Sequence, residues 1–372
     1  VSTPLPTTDP GNDPAAKPIY PGQDFYVPAF EVTPPGQGSR LPDEVLHDVI
    51  SVSYTDDITT IDSFQLTVNN WDARTRAFKY SDGSTFLPGK QLELWMGYRG
   101  KDPLRRLITG EITSLQPNFP SDGAPTLTVS ALNVLHRFRK KQETFAYLNK
   151  TDSQIARQVA ARLGVPVHTQ PDNERPYPYL VQDNQYDIVF LMERARRIGY
   201  DLWVEEDQRT GKSTLHFEPS ENLKPVTYQL TWGKSLVQFQ PTLTTANQVG
   251  QVTVRAWNRS AGKMITVTAQ RPPSQQDADV ESSFNQREDI TSVVVADEAE
   301  AKRVAADRLR DIAHEMVTGT GSTVGLPDLR AGRRMSIDGL GARFNGRYFV
   351  TGTTHTLDDS GYVTQFTCRR DG

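Results

Sequence analysis

At 372 residues the chain exceeds what one hydrophobic core organises, so two or three domains are expected. A net charge of −4 and a pI near 5.9 leave no basic footprint and imply no nucleic-acid specificity. One cysteine, Cys368, excludes an internal disulfide, and no apolar run reaches the ~20 residues of a membrane helix, so a soluble chain without membrane insertion is expected.

The chain opens at Val1 with no charged-then-apolar leader. Residues 1–24 are Pro, Thr, Asp and Gly with little to bury, which predicts a disordered or partner-bound arm. From residue 26 apolar positions alternate, clearest in Phe64, Leu66 and Val68 with Gln65 and Thr67 between them. Further strand patterns over 86–96, 107–112 and 126–131 make residues 25–135 a first domain, read as a β-barrel.

Helical periodicity starts only after Arg137, and residues 136–222 read as a small α+β domain. Thr151 and Gln154 form a capping box ahead of a helix with Ile155, Val159 and Leu163 on one face, ended by Gly164. The second helix has the fullest signature. Asp187 is placed to cap it, Ile188, Leu191, Met192, Ala195 and Ile198 form its apolar stripe, and Arg194 falls on the polar side. Gly199 supplies a left-handed stop, after which Tyr200, Leu202 and Val204 alternate as a strand, with 214–218 returning as its partner. Asp187, Phe190, Gly199 and Tyr200 mark this stretch.

Residues 223–372 return to strands and read as a second barrel. One long helix interrupts them, starting at Asp297 with Glu300 three residues on and expected to cover that barrel. An internal repeat links the two ends of the chain. The run 87–94 matches 330–337, aligning Gly89 with Gly332, and Thr109-Gly110 in 108–113 matches Thr351-Gly352 in 350–355. The fold class is therefore α+β and mainly β, two tube-like barrels flanking a small α+β domain.

No catalytic set completes itself. Gly211-Lys212-Ser213-Thr214 ends like a phosphate loop, but Glu206 stands where the first glycine belongs and a strand follows. His314-Glu315 lacks its second histidine, since Thr318 occupies that position. Ser260 and Lys263 have serine–lysine spacing within a turn and without partner motifs. The basic run 137–141 reads as a solvated domain edge, and the carboxylate pairs Asp56-Asp57, Glu205-Glu206 and Asp358-Asp359 sit at strand ends. His47, His136, His168, His216 and His355 are scattered, so no catalytic, cofactor-binding or metal-binding residue is assigned and no cofactor is expected.

The helix–Gly-Tyr–strand stretch over 186–206, the early strand 62–68 and the closing segment 339–350 with His355 and Tyr362 resemble the phage late control protein D family. These are baseplate hub proteins of contractile phage tails and injection systems, related to the hub portion of VgrG-type spike proteins. The resemblance implies a homotrimer placing two barrels per chain around one axis, adapting a six-fold inner tube to a three-fold spike. It implies inner tube, spike and baseplate wedge proteins as partners, a mechanical role without turnover, and a location in a virion tail or phage-tail-like particle. Large hubs fused to a spike continue past the point matched by Gly372, so a separate spike protein is expected. The alternatives are a tail-associated cell-wall hydrolase and a carbohydrate-binding receptor module.

Overall fold

The computed structural model of the chain describes residues 27–35, 41–58, 60–100, 103–139, 141–171, 174–206, 213–219, 226–258, 262–271, 287–291, 295 and 297–371. The expected arm 1–24 and the turn 207–212 lie outside them.

The chain first forms β1 (Pro28–Thr33), α1 (Asp43–His47), β2 (Val49–Asp57) and β3 (Ser63–Asn69). A two-residue pair, β4 (Trp71–Asp72) and β5 (Ala77–Phe78), precedes β6 (Gln91–Tyr98), β7 (Arg105–Asn118) and β8 (Thr126–Asn133). The expected alternation is present in β3, where Phe64, Leu66 and Val68 are fully buried and Gln65 is exposed. With Tyr54, Leu94 and Met96 they form the first core, each large apolar side chain contributing about 1.5–3 kcal/mol of burial. The short helix α1 was not legible in the sequence pattern.

After a 3₁₀ turn (Val134–Arg139) come β9 (Gln142–Lys150), α2 (Asp152–Leu163), β10 (Val167–Thr169), β11 (Tyr177–Tyr186), α3 (Asp187–Arg197), β12 (Tyr200–Glu206) and β13 (Ser213–Pro219). β9 pairs with β11, and β10, β13 and β12 form a three-stranded sheet. The helices α2 and α3 pack into a second core around Ile155, Val159, Leu191 and Phe217. The Thr151–Gln154 capping box forms in both directions, which satisfies two of the free amides at the start of α2.

The last part holds β14 (Val226–Thr231), β15 (Leu236–Leu243), β16 (Gln251–Asn258), β17 (Lys263–Gln270), β18 (Arg287–Ile290), α4 (Glu298–His314), β19 (Val317–Val324), β20 (Arg334–Asp338), β21 (Gly346–Asp358) and β22 (Gly361–Arg370). Asp297 caps α4 by accepting from the Glu300 amide, as its spacing predicts. The surface that α4 covers differs from expectation. Its stripe of Ala301, Ala305, Leu309 and Ile312 packs against Val252, Val254 and Ile265 of a separate sheet, β17–β16–β18, and forms its own core. The third core, around Tyr228, Leu230, Met335 and Tyr348, belongs to strands that precede β16 and follow α4.

The largest sheet runs β1-β6-β7-β8-β3-β2-β21-β22-β19-β15, with β14 joined through β20 to β21. Strands from both ends of the chain therefore share one hydrogen-bonded surface, and the architecture is mainly β with large antiparallel sheets.

Gly199 follows α3 with φ +71°, where an added Cβ would lie 2.9 Å from an Asp307 carboxylate oxygen on α4. A β-branched residue in that left-handed conformation is strained against its own backbone. Gly199→Val is expected to lower stability by about 2–3 kcal/mol in urea unfolding, and an unchanged midpoint would show that the α3 stop tolerates a side chain.

Candidate functional site

The two ends of the chain meet where β2 pairs with β21, from Val52↔Leu357 to Asp57↔Gly352. Side chains alternate along a strand, which turns Asp56 inward while its neighbours face away. Asp56 Oδ2 accepts from Arg330 Nε at 2.7 Å and from the Ala331 amide at 3.1 Å, and Oδ1 accepts from the Thr353 hydroxyl. Arg330 also donates to the Tyr54 hydroxyl and lies over the Tyr54 ring, 4.7 Å from its centroid. Burial opposes the guanidinium charge, but Tyr54 and Asp56 beside it hold the Arg330 pKa above the ordinary arginine value.

His355 continues this network and is fully buried. Its Nε2 lies 3.0 Å from the Leu329 carbonyl oxygen, which can only accept, so Nε2 carries the proton. Nδ1 then presents its one lone pair to the hydroxyls of Tyr362 at 2.9 Å and Thr364 at 3.1 Å, which share it. Burial lowers the His355 pKa to about 4, with Asp56 pulling it up and Arg330 pushing it down. A neutral imidazole with both nitrogens bonded locks β21 to β22.

Gly89 and Gly332, singled out by the sequence, make backbone bonds of the same pattern. Gly89 (φ +89°) donates its amide to Ile112 O at 2.8 Å, and the Ile112 amide returns to Lys90 O at 2.8 Å. Gly332 (φ +79°) donates to Val350 O at 2.9 Å, and the Val350 amide returns to Arg333 O at 2.9 Å. This pairs Val350 with Ile112, not with Ile108, so the correspondence of Thr109-Gly110 with Thr351-Gly352 is displaced by four residues. The Ile-Thr-Gly and Val-Thr-Gly strings are alike by composition, whereas backbone bonds set the position. Gly110 lies under the Phe64 ring, where a Cβ would meet Cε1 at 2.8 Å, and Gly352 lies against Asp57. Thr109 pairs with Glu93 in the sheet, and Thr351 sits at a bulge with its hydroxyl 2.8 Å from that of Thr367.

Corrected in this way, the strand registers coincide over a long path. Ile112↔Ala131 is followed by a bulge and then Ser114↔Ser130; Val350↔Cys368 is followed by a bulge and then Gly352↔Thr367. Four residues back along β8 and β22 lie Leu127↔Val68 and Thr364↔Thr323. Their next neighbours are Val68↔Val49 and Thr323↔Leu236, each again followed by a bulge. Both strand sets have the spatial order first-fourth-fifth-sixth-third-second. They differ at one edge, since β1 runs antiparallel to β6 while β14 runs parallel to β20.

In the middle segment Asp187 and Arg194 have roles that helix periodicity did not predict. Tyr186 occupies the cap position of α3 without a side-chain cap bond. The Asp187 carboxylate instead accepts from Arg162 at 2.5 Å and Gln182 at 2.8 Å, and Gln182 accepts from the Tyr147 hydroxyl at 3.0 Å. Tyr147 stacks on Phe190 at 5.7 Å and 9°. Arg194 is buried, with Nε and a terminal nitrogen 2.6 and 3.1 Å from the two oxygens of Asp152, which fixes α3 against the start of α2. Tyr200 packs on Phe217, with ring centroids 5.2 Å apart.

The histidines are less scattered than the sequence suggests. Parallel pairing sets His168 opposite His216, and both Nδ1 atoms lie 2.7 Å from Glu218 Oε1. The legible part of that signal was His216-Phe217-Glu218, because i and i+2 in a strand share a face. His168 is 48 positions away from His216, and its place depends on strand pairing. Ser213-Thr214 lies in β13, and Lys263 opens β17. Gly211, Lys212 and Ser260 lie outside the described residues, as do the side chains of Glu205 and Glu206. In the third carboxylate pair, Asp358 accepts from the Ser360 amide at 2.8 Å.

A sequence model of the family described as Alg8 N-terminal domain matches residues 31–359. Among curated protein sequences none matches the chain. The fold is similar to the 43 kDa tail protein of prophage MuSo2 from Shewanella oneidensis, with TM-score 0.68 and 14% identity, covering 92% of this chain and 98% of that one. It is similar to a tail protein of Neisseria meningitidis, with TM-score 0.65 and 15% identity over 93% and 98% of the two chains. A type VI secretion component of E. coli, described as structurally similar to T4 phage tail proteins, aligns with TM-score 0.60 and 12% identity over 92% of this chain and 77% of that one. At these identities the likeness establishes the fold.

Removing one member of the Asp56–Arg330 pair leaves the other without its counterion. Asp56→Ala is expected to cost about 2–3 kcal/mol in urea unfolding, discounted for the partial exposure of Arg330. Adding Arg330→Met should recover part of that loss, and strictly additive effects would show the pair is uncoupled. His355 gives a pH dependence of known sign. With the folded pKa at about 4 and the ordinary value at 6.5, the unfolded chain binds more protons between these limits. Stability is therefore full above about pH 6.5 and falls towards pH 4, by up to about 3 kcal/mol from this residue. Buried His314, lowered to about 3, acts in the same direction. His355→Gln is expected to flatten that acid limb in part, and an unaltered slope of unfolding free energy against pH would refute the assignment.

Proposed function

This chain belongs to the Alg8 N-terminal domain family, and from the fold it shares with tail proteins we propose that it is a structural hub protein of a contractile tail or tail-like injection system. Three copies form a ring that adapts a six-fold inner tube to a three-fold spike, as the resemblance to late control D proteins implies. The fold shared with these two tail proteins supports the tail setting. The observation that carries the finer reading is the coincidence of the two strand registers, because two equivalent barrels per chain make six positions from three chains.

The within-chain junction then serves as a template for the junction between chains. β2 of the first unit pairs with the latter half of β21 in the second. The equivalent strands are β15 and the latter half of β7, which among the described residues pair in those stretches with β19 and with β8, apart from one bridge of Leu236 to Trp232 at the start of β15. A head-to-tail contact of β15 on β7 of the next chain closes after three copies. Exposed apolar side chains, Val237 of β15 at 67% and Phe119 one residue past β7 at 58%, support a covered surface.

The register also identifies what replaces the polar seam. Asp56, Thr353 and Arg330 correspond to Leu243, Leu115 and Leu87, the last by its place two residues before Gly89. Both turn residues accept the same bond, Leu87 O from Lys90 at 3.1 Å and Arg330 O from Arg333 at 3.2 Å. The contact between chains is therefore apolar at the position where the contact within the chain is ionic.

The test is a charge exchange. Leu243→Asp is expected to abolish trimers in reconstituted particles, and Leu87→Arg together with Leu243→Asp to restore them by rebuilding the Asp56–Arg330 arrangement between chains. Images of the tube-to-spike junction should contain three copies with alternating barrels. Six copies there, or trimers indifferent to Leu243→Asp, would overturn the reading.

A further inference from the structure

The sheet β10–β13–β12 assembles a donor set to which the hub role gives no use. Parallel neighbours lie about 4.8 Å apart, and their paired side chains share a face. His168 of β10 is thereby set beside His216 of β13, and Glu218 follows two residues later on the same face. One ligand atom from each of the three residues lies within 4.8 Å of the others.

We propose that His168, His216 and Glu218 form a binding site for a divalent first-row transition cation, zinc foremost. Two imidazoles and one carboxylate suit zinc and its neighbours rather than calcium or magnesium, which favour all-oxygen shells. Zinc bonds of about 2.0–2.2 Å place tetrahedral donors roughly 3.3 Å apart. The two Nδ1 atoms, each 2.7 Å from Glu218 Oε1, need to move about 0.6 Å away from that oxygen to admit the ion. Without metal each ring donates its Nδ1 proton to the carboxylate. With metal the neutral rings carry that proton on Nε2 and present the Nδ1 lone pair, so the cation takes the place of the two hydrogen bonds.

The surroundings hold two ligands and leave the third open. The Glu218 side chain is 10% exposed and that of His216 16%, and the His216 ring stacks on Trp203 at 4.9 Å and 15°. The His168 side chain is 58% exposed, so water or a ligand from another chain has access to the remaining coordination positions. A bound ion would pin β10, a strand of three residues, to the centre of its sheet.

The test uses the full chain, stripped with chelator and titrated with zinc chloride. The expected result is one zinc per chain by native mass spectrometry, a rise in melting temperature with zinc, and a visible d–d band when cobalt(II) replaces it. His168→Asn, at an exposed position that leaves the fold intact, should weaken binding by at least about tenfold and remove the thermal shift. His47→Asn, at an unrelated exposed histidine, should change neither. Failure of the wild-type chain to bind stoichiometric zinc, or equal affinity in wild type and His168→Asn, would overturn the proposal. Neither result bears on trimer formation.

Discussion

The Asp56 carboxylate is the constraint on which the joined sheet depends. It lies on a strand of the first half, and the partners described above, Arg330, the Ala331 amide and Thr353, all come from the second half. A buried ion pair adds little net stability, since desolvation offsets most of the attraction. It does fix register. A slip of one residue between β2 and β21 would turn Asp56 to the opposite face and leave Arg330 without its counterion, a penalty that an apolar seam would not impose. His355 extends the same logic to β22, because its tautomer is set by Leu329 O on one side and two hydroxyls on the other.

What was legible in the sequence was local. The alternation of Phe64, Leu66 and Val68, the capping box at Thr151, the cap at Asp297 and the stop at Gly199 each depend on residues within one or two turns of chain. Such signals survive folding because tertiary context has little to override. The partners of Arg194 and Asp187 were not legible. Both follow from the docking of α3 on α2 and β11, and helix periodicity puts Arg194 on the polar side because it counts charge without knowing that Asp152 waits there. The target of α4 was missed for a related reason, since an apolar stripe declares that something is covered and not what.

The proposed repeat and the histidine cluster show the same limit from another side. Gly89 and Gly332 were found because a left-handed turn before a strand leaves a recognisable string, yet the strand that answers each turn was misaligned by four residues. Only the amide bonds from Gly89 to Ile112 and from Gly332 to Val350 correct it. His168 and His216 meet through parallel pairing, the strand arrangement with the longest connections and so the one least visible to spacing rules.

On the proposed reading, the difference between the polar seam within a chain and the apolar one between chains has a physical basis. Within the chain the two units are already tethered, so their junction needs alignment more than attraction, and an ion pair with several hydrogen bonds supplies directional selectivity at little net gain. Between chains the loss of translational and rotational freedom has to be offset, and apolar contact, which scales with area, is the term that can do so. Leu87, Leu115 and Leu243 occupy the three positions where Arg330, Thr353 and Asp56 stand in the tethered seam. Leu87 is 42% exposed in the single chain, which leaves its burial to be gained on assembly. In the proposed ring one strand register would thus serve two junctions, and the side chains at three positions would decide whether a junction selects register or drives association.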